Sequence, residues 1–361
     1  MEFFSRSFRE KSWNTPPARL PSASRPEKCH VTCSIVMASG SCPDCDLGLI
    51  DFCVRYYGKP RDLFDLCVRH RLILNEKHCE VCGQAAVINF NEKLWRCQKL
   101  ASKGHKKKRR CSWKQSVYKN TFFDHAHLDI ETILVFVNAY VRECFSYVFV
   151  RSELKLSDKA ICDWASFSRE VLIEWSVKRE GQLGGEGKIV EIDESKFGKR
   201  KYNVGRLVEG QWVFGAVCRE TRECFMVPVA KRDSATLLYV IKERILPGTT
   251  IISDCWKAYN CLEEEGYRHL TVNHSLNFVD PNNKATHTNN IERLWREAKK
   301  KVPLYGRRRK HFAGYLARSM FMMAIPDPNK RLHAFLQEVA ALYNPYNPTH
   351  PDESSAPSTS S

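Results

Sequence analysis

The sequence lacks several features that would each assign it to a class of protein. No uncharged apolar run among its 361 residues reaches the ~18 to 20 residues of a membrane-spanning helix. It contains no Gly-rich phosphate loop, no G-x-S-x-G turn and no kinase signature. Charged residues interrupt the apolar residues near Met1, which argues against a secretory signal. We therefore expect no membrane association and no chemistry that depends on a nucleophilic serine or a phosphate loop.

Acidic residues are scarce relative to basic ones. The chain has 57 Lys and Arg but 41 Asp and Glu, which gives a net charge of +16. A surplus of this size attracts polyanions and makes nucleic acid the leading partner. Charge alone does not separate a nucleic-acid-binding protein from a basic protein of another kind.

The sixteen cysteines, without an export signal, favour metal ligands and small core residues over a disulfide scaffold. In residues 49–125, the C-x2-C pair Cys79 and Cys82 is followed by Cys97 and Cys111. Four thiolates of this kind can hold Zn²⁺ in a tetrahedron, so the region is predicted to be a zinc-ribbon-like module. Cys97 and Cys111 are widely separated, so either a long hairpin tip lies between them or His105 replaces one thiol.

The segment between Cys97 and Cys111 includes the basic run "KGHKKKRR". Such a run is typical of a nuclear import signal or a phosphate-binding patch, and a solvated loop is the common alternative. We expect a nuclear protein.

Residues 1–48 are rich in Pro, Ser and Arg, which predicts a disordered leader. At its end the sequence "CPDC" places Cys42 and Cys45 in a knuckle-like turn. The pair is a second candidate for zinc, but no two partners for it are evident from the sequence.

Residues 126–180 show helical periodicity. In "LSDKAICDWASFSREVLIEW", Ser157 is the predicted N-cap, and apolar residues recur at three- and four-residue spacing. Two helices joined by a short polar segment are typical of a helix-turn-helix DNA-binding region, or of a helical connector.

Beyond the Gly-rich linker at 180–188 the pattern predicts a mixed α/β domain over 185–325. Residues 326–361 are predicted to form a C-terminal helix and a disordered tail. The predicted strands are "KIVEID", "QWVFGAVCR", "CFMVPVA", "TTIISD" and "HLTVN". The predicted helices are "SATLLYVIKERI", "AYNCLEEEG" and "NNIERLWREAKKK".

Two of these strands end on a carboxylate, Asp193 in "KIVEID" and Asp254 in "TTIISD". If the first and fourth strands are parallel neighbours, both side chains lie at the carboxyl edge of the sheet, where open α/β sheets place their sites. Two close carboxylates repel each other, so a divalent cation is the simplest reason for the pair. Carboxylate oxygens select Mg²⁺ or Mn²⁺.

Glu292, in the first turn of the last predicted helix, is the candidate for a third ligand. The apolar stripe of this helix leaves Glu292, Arg296 and Lys299 on a flanking face. The carboxylate would then bind metal while the two cations meet phosphates. Three carboxylates around two metal ions can catalyse an in-line phosphodiester displacement.

Five stretches occur in the order found in a known family: "IVEIDESKFGKRKYNVGR", "GQWVFGAVCRETRECFMVPV", "LPGTTIISDCWKAY", "HLTVNHSLNFVDP" and "THTNNIERLW". They resemble the catalytic domain of the Merlin superfamily of DNA transposases, eukaryotic relatives of a bacterial insertion-sequence group with the ISXO2-like transposase domain. The resemblance is close over 185–325 and looser upstream.

The resemblance implies a ribonuclease H-like, DDE-type enzyme that performs cut-and-paste transposition at terminal inverted repeats of double-stranded DNA. By analogy Asp193, Asp254 and Glu292 are the catalytic triad. Related bacterial enzymes carry Asn at the third position, which keeps Asn289 or Asn290 as alternatives, with Glu297 a more remote one. An N-terminal zinc ribbon and a helix-turn-helix are also implied, and because two DNA ends must be held together we expect a homodimer.

Several further residues are predicted to support DNA binding or the site. His274 and His287 are candidates close to the metals, and Trp256 and Lys257 are candidates to position a nucleotide. The predicted phosphate contacts are Lys196, Lys199, Arg200, Lys201, Arg296, Lys299, Arg307 and Arg308.

Two alternatives to transposition remain open. One is a domesticated DNA-binding protein that no longer cleaves, and the other is a structure-selective nuclease on the same fold. The intact set of three carboxylates favours an enzyme.

Overall fold

The computed structural model describes residues 42–101, 109–179, 181–198, 210–272, 287–303 and 309–347. The predicted leader up to residue 41, the basic run up to residue 108 and the tail after residue 347 lie outside these ranges. Within them, no helix has the length and apolar character needed to cross a membrane.

Two short helices open the described chain, α1 (Leu49–Tyr56) and α2 (Pro60–Arg69). Pro60 stands at the first position of α2, where its missing N–H and fixed φ suit a helix start. The two helices bury one apolar face each, so the β module with the cysteines begins only after them.

The cysteine-bearing module is built on a three-stranded antiparallel sheet with a short two-stranded extension. Its central strand β2 pairs with β1 and β5, and β3 pairs with β4. Cys97 N–H donates to Trp113 O at 3.2 Å and Cys111 N–H donates to Lys99 O at 2.8 Å. The described residues on either side of 102–108 therefore pair as antiparallel strands, as the first of the two predicted alternatives requires. The strands are β1 (Val87–Asn89), β2 (Leu94–Arg96), β3 (Leu100–Ala101), β4 (Arg109–Arg110) and β5 (Lys114–Ser116).

Three helices follow, α3 (Ile130–Val141), α4 (Tyr147–Glu153) and α5 (Asp158–Lys178). The predicted cap of α5 is confirmed, because Ser157 Oγ accepts from the N–H of Ala160 at 3.2 Å. A helix-turn-helix role for α4 and α5 stays a prediction.

The second half of the chain begins with seven strands and one helix. They are β6 (Leu183–Gly184), β7 (Ile189–Phe197), β8 (Gln211–Cys218), β9 (Cys224–Val229), α6 (Ser234–Arg244), β10 (Ile245–Leu246), β11 (Thr250–Asp254) and β12 (Arg268–Val272).

The main sheet has the order β12-β11-β7-β8-β9. The strands β7, β8 and β9 are antiparallel neighbours, whereas β11 is parallel to both β7 and β12. A three-stranded antiparallel meander extended on its first strand by two parallel strands is the ribonuclease H-like fold, as predicted. The short strands β6 and β10 form a separate parallel pair.

The predicted helix "AYNCLEEEG" is wrong. Only a 3-10 turn at Lys257–Tyr259 forms, and the chain continues through turns to Tyr267. Leu262 N–H donates to Tyr259 O, and Glu265 N–H donates to Leu262 O, so the bonds span three residues rather than four. Three successive glutamates at 263–265 would also stand at the negative end of an α-helix, where the helix dipole disfavours them.

Three helices complete the chain, α7 (Asn289–Lys301), α8 (Phe312–Ala324) and α9 (Lys330–Leu342). The bounds of α7 are those predicted. One face of the main sheet packs on α6 through Leu237 and Ile241, and the other face packs on α7 and α8. The last two helices also complete the helical core, where Phe321 contacts Trp175 with ring centroids 5.1 Å apart.

Candidate active site

Asp193 and Asp254 lie on neighbouring parallel strands. Asp254 is the last residue of β11, as predicted. The prediction that the first strand ends at Asp193 is wrong, because β7 continues to pair with β8 as far as Phe197. The strands β7 and β11 pair with Ile252 opposite Glu191, and the same register continued by two residues sets Asp254 opposite Asp193. Because paired residues of a sheet share a face, both side chains are on the face that α7 covers. The backbone N–H of Trp256 donates to Asp254 Oδ1 at 3.1 Å. The parallel neighbours expected from the sequence are therefore present.

Trp295 of α7 holds one of these carboxylates directly. Its Nε1–H donates to Asp193 Oδ2 at 2.9 Å, and its ring is 5% exposed. The ring lies over Gly215, which pairs with Asp193 on β8. A Cβ at position 215 would come within 2.5 Å of the Trp295 ring, so only glycine leaves room for it.

Glu191 anchors the start of α7. Its side chain is fully buried on the same face of β7, two residues before Asp193. Its Oε2 accepts from the backbone N–H groups of Asn290 and Ile291 at 2.9 and 3.0 Å. These are among the N–H groups that a helix leaves without an internal partner, so a carboxylate here caps the helix and matches its positive end.

A basic residue neutralises this buried carboxylate. Arg219 Nε–H donates to Glu191 Oε1 at 2.6 Å, and its Nη2–H donates to His287 O at 2.5 Å. The Asn290 amide N–H also donates to Glu191 Oε1 at 2.6 Å, while Asn290 Oδ1 accepts from Arg222 at 2.7 Å. The start of α7 is therefore held by the amide N–H and the amide oxygen of Asn290, together with the backbone carbonyl of His287.

Glu292 stands in the first turn of α7, exposed, on the helix that Glu191 and Trp295 attach to the sheet. Within the described residues, the sets of three or more ligating side chains with all ligand atoms inside 4.8 Å consist of Cys and His. Asp193, Asp254 and Glu292 do not form such a set. Asn289 is exposed at the first residue of the helix.

A further carboxylate adjoins the pair. Burial raises the pKa of Glu194 to about 8, the charges of Asp193 and Asp254 add to this, and Arg232 opposes it. Arg232 Nε lies 3.0 Å from Glu194 Oε2, whereas the buried Oε1 finds no hydrogen-bond partner among the described residues. Glu194 directly follows Asp193 on β7, so its side chain lies on the opposite face of the sheet from Asp193.

The basic residues predicted to contact DNA are partly described. Lys196 Nζ lies 5.6 Å from the centroid of the Trp212 ring, and Lys299 Nζ lies 5.7 Å from that of Phe197. Arg296 is exposed on α7. Trp256, half-buried, has the Arg232 guanidinium 4.3 Å from its ring centroid, and Lys257 is exposed beside it. Six predicted residues lie outside the described ranges: Lys199, Arg200, Lys201, His274, Arg307 and Arg308.

Glu297, the remote alternative for the third ligand, has another role. Its carboxylate accepts from Lys300 at 3.0 Å, which lowers the pKa of Glu297.

The four cysteines of the predicted zinc ribbon converge. Their Sγ atoms all lie within 4.8 Å of one another, with Cys79 and Cys111 3.8 Å apart and Cys82 and Cys97 3.4 Å apart. A tetrahedral Zn²⁺ with bonds of about 2.3 Å would require separations of about 3.8 Å. Although desolvation raises it, hydrogen bonds from Val81 and Cys82 lower the pKa of Cys79 to about 7. The described geometry thus fits a structural metal.

Comparisons with known proteins identify relatives of this chain. A sequence profile described as the ISXO2-like transposase domain matches residues 182–323. An "uncharacterized transposase-like protein" of Haemophilus influenzae is 31% identical over 93 residues, which are 26% of this chain and 73% of that protein. The chain belongs to the ISXO2-like transposase family.

Two solved structures resemble this ISXO2-like transposase weakly. The catalytic core domain of BIV integrase is 15% identical, with 36% of this chain and 80% of that chain covered at a TM-score of 0.25. A simian T-cell lymphotropic virus intasome, in complex with the PP2A regulatory subunit B56 gamma, is 13% identical, with 49% and 68% covered at 0.26. The fold assignment rests on the strand order of the main sheet.

Sequence reasoning missed the residues that assemble the site. Glu191 lies within the predicted strand "KIVEID". The sequence feature that indicates a special role for it is a charged residue within an otherwise apolar run. Gly215 interrupts the strand "QWVFGAVC", and an isolated glycine in a strand often marks a close approach of another group. Neither signal identifies the partner.

Proposed function

We propose that this protein is a metal-dependent DNA transposase that performs cut-and-paste cleavage and strand transfer at terminal inverted repeats. One observation carries the proposal. Asp193 and Asp254 lie on neighbouring parallel strands, and the register of these strands, continued by two residues, sets them opposite each other. The helix α7, whose first turn holds Glu292, covers this face of the sheet. In a chain of the ISXO2-like transposase family, this is the arrangement that phosphodiester chemistry requires.

The residues fit a pair of hard divalent cations. Asp193, Asp254 and Glu292 would hold them, with Asn289 as the alternative third ligand. The chemistry of the donor set fits these ions, because carboxylate oxygens are the ligands that Mg²⁺ and Mn²⁺ prefer. Bound there, Mg²⁺ or Mn²⁺ would activate a water or a 3'-hydroxyl and stabilise the leaving oxygen of an in-line displacement.

The chain's own residues orient the ligands and the substrate. Trp295 fixes the rotamer of Asp193, and Glu191 fixes the helix that carries Glu292. Lys196, Arg296 and Lys299 are the described residues that would contact DNA phosphates. Each such contact would make the binding constant more sensitive to salt.

The remaining assignments follow from the same proposal. A zinc ion on Cys79, Cys82, Cys97 and Cys111 would stabilise the ribbon, and the helical region would recognise the repeat. Two copies of the chain would hold the two DNA ends together, and the reaction would take place in the nucleus. Within the ISXO2-like transposases, the motif order of 185–325 supports a place in the Merlin superfamily.

The experiment is cleavage of a duplex that ends in the inverted repeat flanking the gene, with Mg²⁺ or Mn²⁺. We expect cutting at the repeat boundary by the wild type and by Asp62→Ala, a control at an exposed aspartate of α2. Asp193→Ala and Asp254→Ala should abolish it. Glu292→Gln should abolish it as well, while Asn289→Ala retains it if Glu292 is the third ligand.

Other outcomes would contradict the proposal in different ways. Salt-sensitive binding of the repeat without cleavage in either metal would identify a DNA-binding protein that has kept its carboxylates. Cleavage that ignores the repeat and never joins the cut end to a target would identify a nuclease.

A further inference from the structure

The turn "CPDC" at the start of the described chain meets two histidines from distant parts of the sequence. Cys45 Sγ lies 3.2 Å from His70 Nε2 and 3.3 Å from His333 Nδ1. Cys42 Sγ lies 3.6 Å from His70 Nε2. His70 follows the last residue of α2, and His333 is in the first turn of α9. The four ligating atoms all lie within 4.8 Å of one another.

The cysteine pair is held in the shape of a metal-binding knuckle. The backbone N–H groups of Cys45 and Asp46 donate to Cys42 O at 3.3 and 2.9 Å. Asp46 Oδ2 in turn accepts from the N–H of Cys42 at 2.7 Å. The closed turn brings the two Sγ atoms to 3.3 Å on one side of the backbone.

His70 is oriented as a ligand would be. Its Nδ1 lies 2.9 Å from Leu66 O, and since a carbonyl only accepts, Nδ1 carries the proton. Nε2 therefore presents its lone pair to the cluster, where His333 Nδ1 lies 3.2 Å away. A histidine ligand typically donates its other N–H to a carbonyl in this way.

We propose that Cys42, Cys45, His70 and His333 form a second structural zinc site. A tetrahedral Zn²⁺ with Zn–S of about 2.3 Å and Zn–N of about 2.0 to 2.1 Å separates its ligand atoms by about 3.3 to 3.8 Å. Five of the six distances between ligating atoms run from 3.2 to 3.6 Å, and the sixth is within 4.8 Å. Two thiolates and two imidazoles in a tetrahedron favour zinc over the hard cations of the carboxylate site.

Hydrogen bonds of neighbouring residues hold the segments that carry the four ligands. Asp44, inside the knuckle, accepts from Arg69 Nε at 2.7 Å, next to His70. Arg142 donates to Leu47 O at 2.5 Å and to Asn329 Oδ1 at 3.1 Å. It thereby ties the segment after the knuckle to the start of α9.

The site would join the two ends of the described chain. Cys45 and His333 are 288 residues apart, and their segments flank the helical core that α8 and α9 complete. Binding of zinc to such a site contributes to folding, because the ligands are assembled only in the folded chain. The role is structural and lies apart from the carboxylates of the proposed active site.

The test is the zinc content of the purified full-length chain, measured by mass spectrometry after incubation with Zn²⁺ and removal of the excess. We expect two ions per chain in the wild type. The ribbon variant Cys79→Ser/Cys82→Ser should retain one, and Cys45→Ser/His333→Ala should also lose one. The matched control Cys162→Ser/His125→Ala changes an exposed cysteine and an exposed histidine and should retain two.

A second arm separates loss of the ligand from loss of the fold. In the ribbon variant loaded with Co²⁺, we expect a tetrahedral visible spectrum with thiolate charge transfer. Adding His333→Cys should retain the ion and increase the thiolate absorption, whereas adding His333→Ala should lose the ion. One ion in the wild type, absent from the ribbon variant, would overturn the proposal. So would two ions in Cys45→Ser/His333→Ala.

Discussion

Glu191 and Asp193 stand two residues apart on β7 and point to the same side of the sheet, yet their surroundings differ. Glu191 is fully buried and receives Arg219, the side chain of Asn290 and two backbone N–H groups of α7. Asp193 is half-buried within β7, where it accepts a hydrogen bond from Trp295. The inner carboxylate is an anchor, and the outer one is placed for chemistry.

The difference teaches how the site is made rigid. A buried carboxylate is tolerated only when its charge and hydrogen bonds are satisfied, and Glu191 meets that condition by fixing a helix. The same helix supplies Trp295 to Asp193 and carries Glu292. We infer that stability and catalysis can be separated by changing one carboxylate or the other.

The largest effect is expected for Glu191→Ala. The change leaves the Arg219 charge and the first N–H groups of α7 unpaired, so we expect a loss of about 3 to 5 kcal/mol in the free energy of unfolding. Urea denaturation measures it. The control Glu264→Ala removes an exposed glutamate and should stay within about 0.5 kcal/mol of the wild type. Equal stability of the two variants would contradict the anchoring role.

Asp193→Asn should show the opposite division. We expect cleavage to fall by more than about 100-fold, because loss of an outer-shell partner alone costs about 10- to 100-fold. The unfolding midpoint without metal should change little, since the amide keeps the shape and can still accept from Trp295. Single-turnover cleavage and urea denaturation on the same preparation test the pair. Retained cleavage would remove Asp193 from the ligand set.

Gly215→Ala should displace the Trp295 ring, which donates a hydrogen bond to Asp193. The new methyl group would meet the Trp295 ring, and overpacking of this kind costs about 1 to 3 kcal/mol. Gly181→Ala is the matched control, because no heavy atom lies within 4 Å of a Cβ there. Tryptophan fluorescence and urea denaturation should report a shift for position 215 alone. An unchanged midpoint would show that the ring can move aside freely.

The smallest effect is expected for Trp295→Phe. It removes the Nε1–H donor to Asp193 and keeps an aromatic ring, so we expect about a 10-fold loss of cleavage, the lower end of outer-shell effects. The metal concentration for half-maximal cleavage should rise as well. Trp175→Phe, in the helical core, should leave that concentration unchanged. If both variants behave alike, the hydrogen bond does not orient Asp193.

Some elements were predictable because their causes are local. The strand predicted to end at Asp254 does so, whereas β7 continues past Asp193 to Phe197. The bounds of α7 follow from its apolar stripe. The four cysteines of the ribbon were identified by their spacing, and the hairpin then explained the long interval between Cys97 and Cys111. The helix predicted at 258–266 does not form, because the hydrogen bonds there span three residues and the glutamates at 263–265 would stand at the negative end of a helix.

Other residues depend on contacts that no local pattern records. His70 and His333 share nothing in the sequence that links them to Cys42 and Cys45. Glu191 has the appearance of a polar residue within a strand, and its partners Arg219 and Asn290 are 28 and 99 residues away. Contacts between such distant residues form only when the elements pack.

The sequence by itself determined which chemistry is available. It supplies a net positive charge that attracts polyanions, carboxylates next to apolar runs that can bind hard cations, and paired cysteines that can bind zinc. It determined most of the elements, because apolar periodicity and capping act within a few residues. The tertiary structure alone decided which carboxylate anchors and which faces its partner. The physical reason is that burial, strand register and helix docking are properties of the packed chain, and burial decides whether a charge must be satisfied.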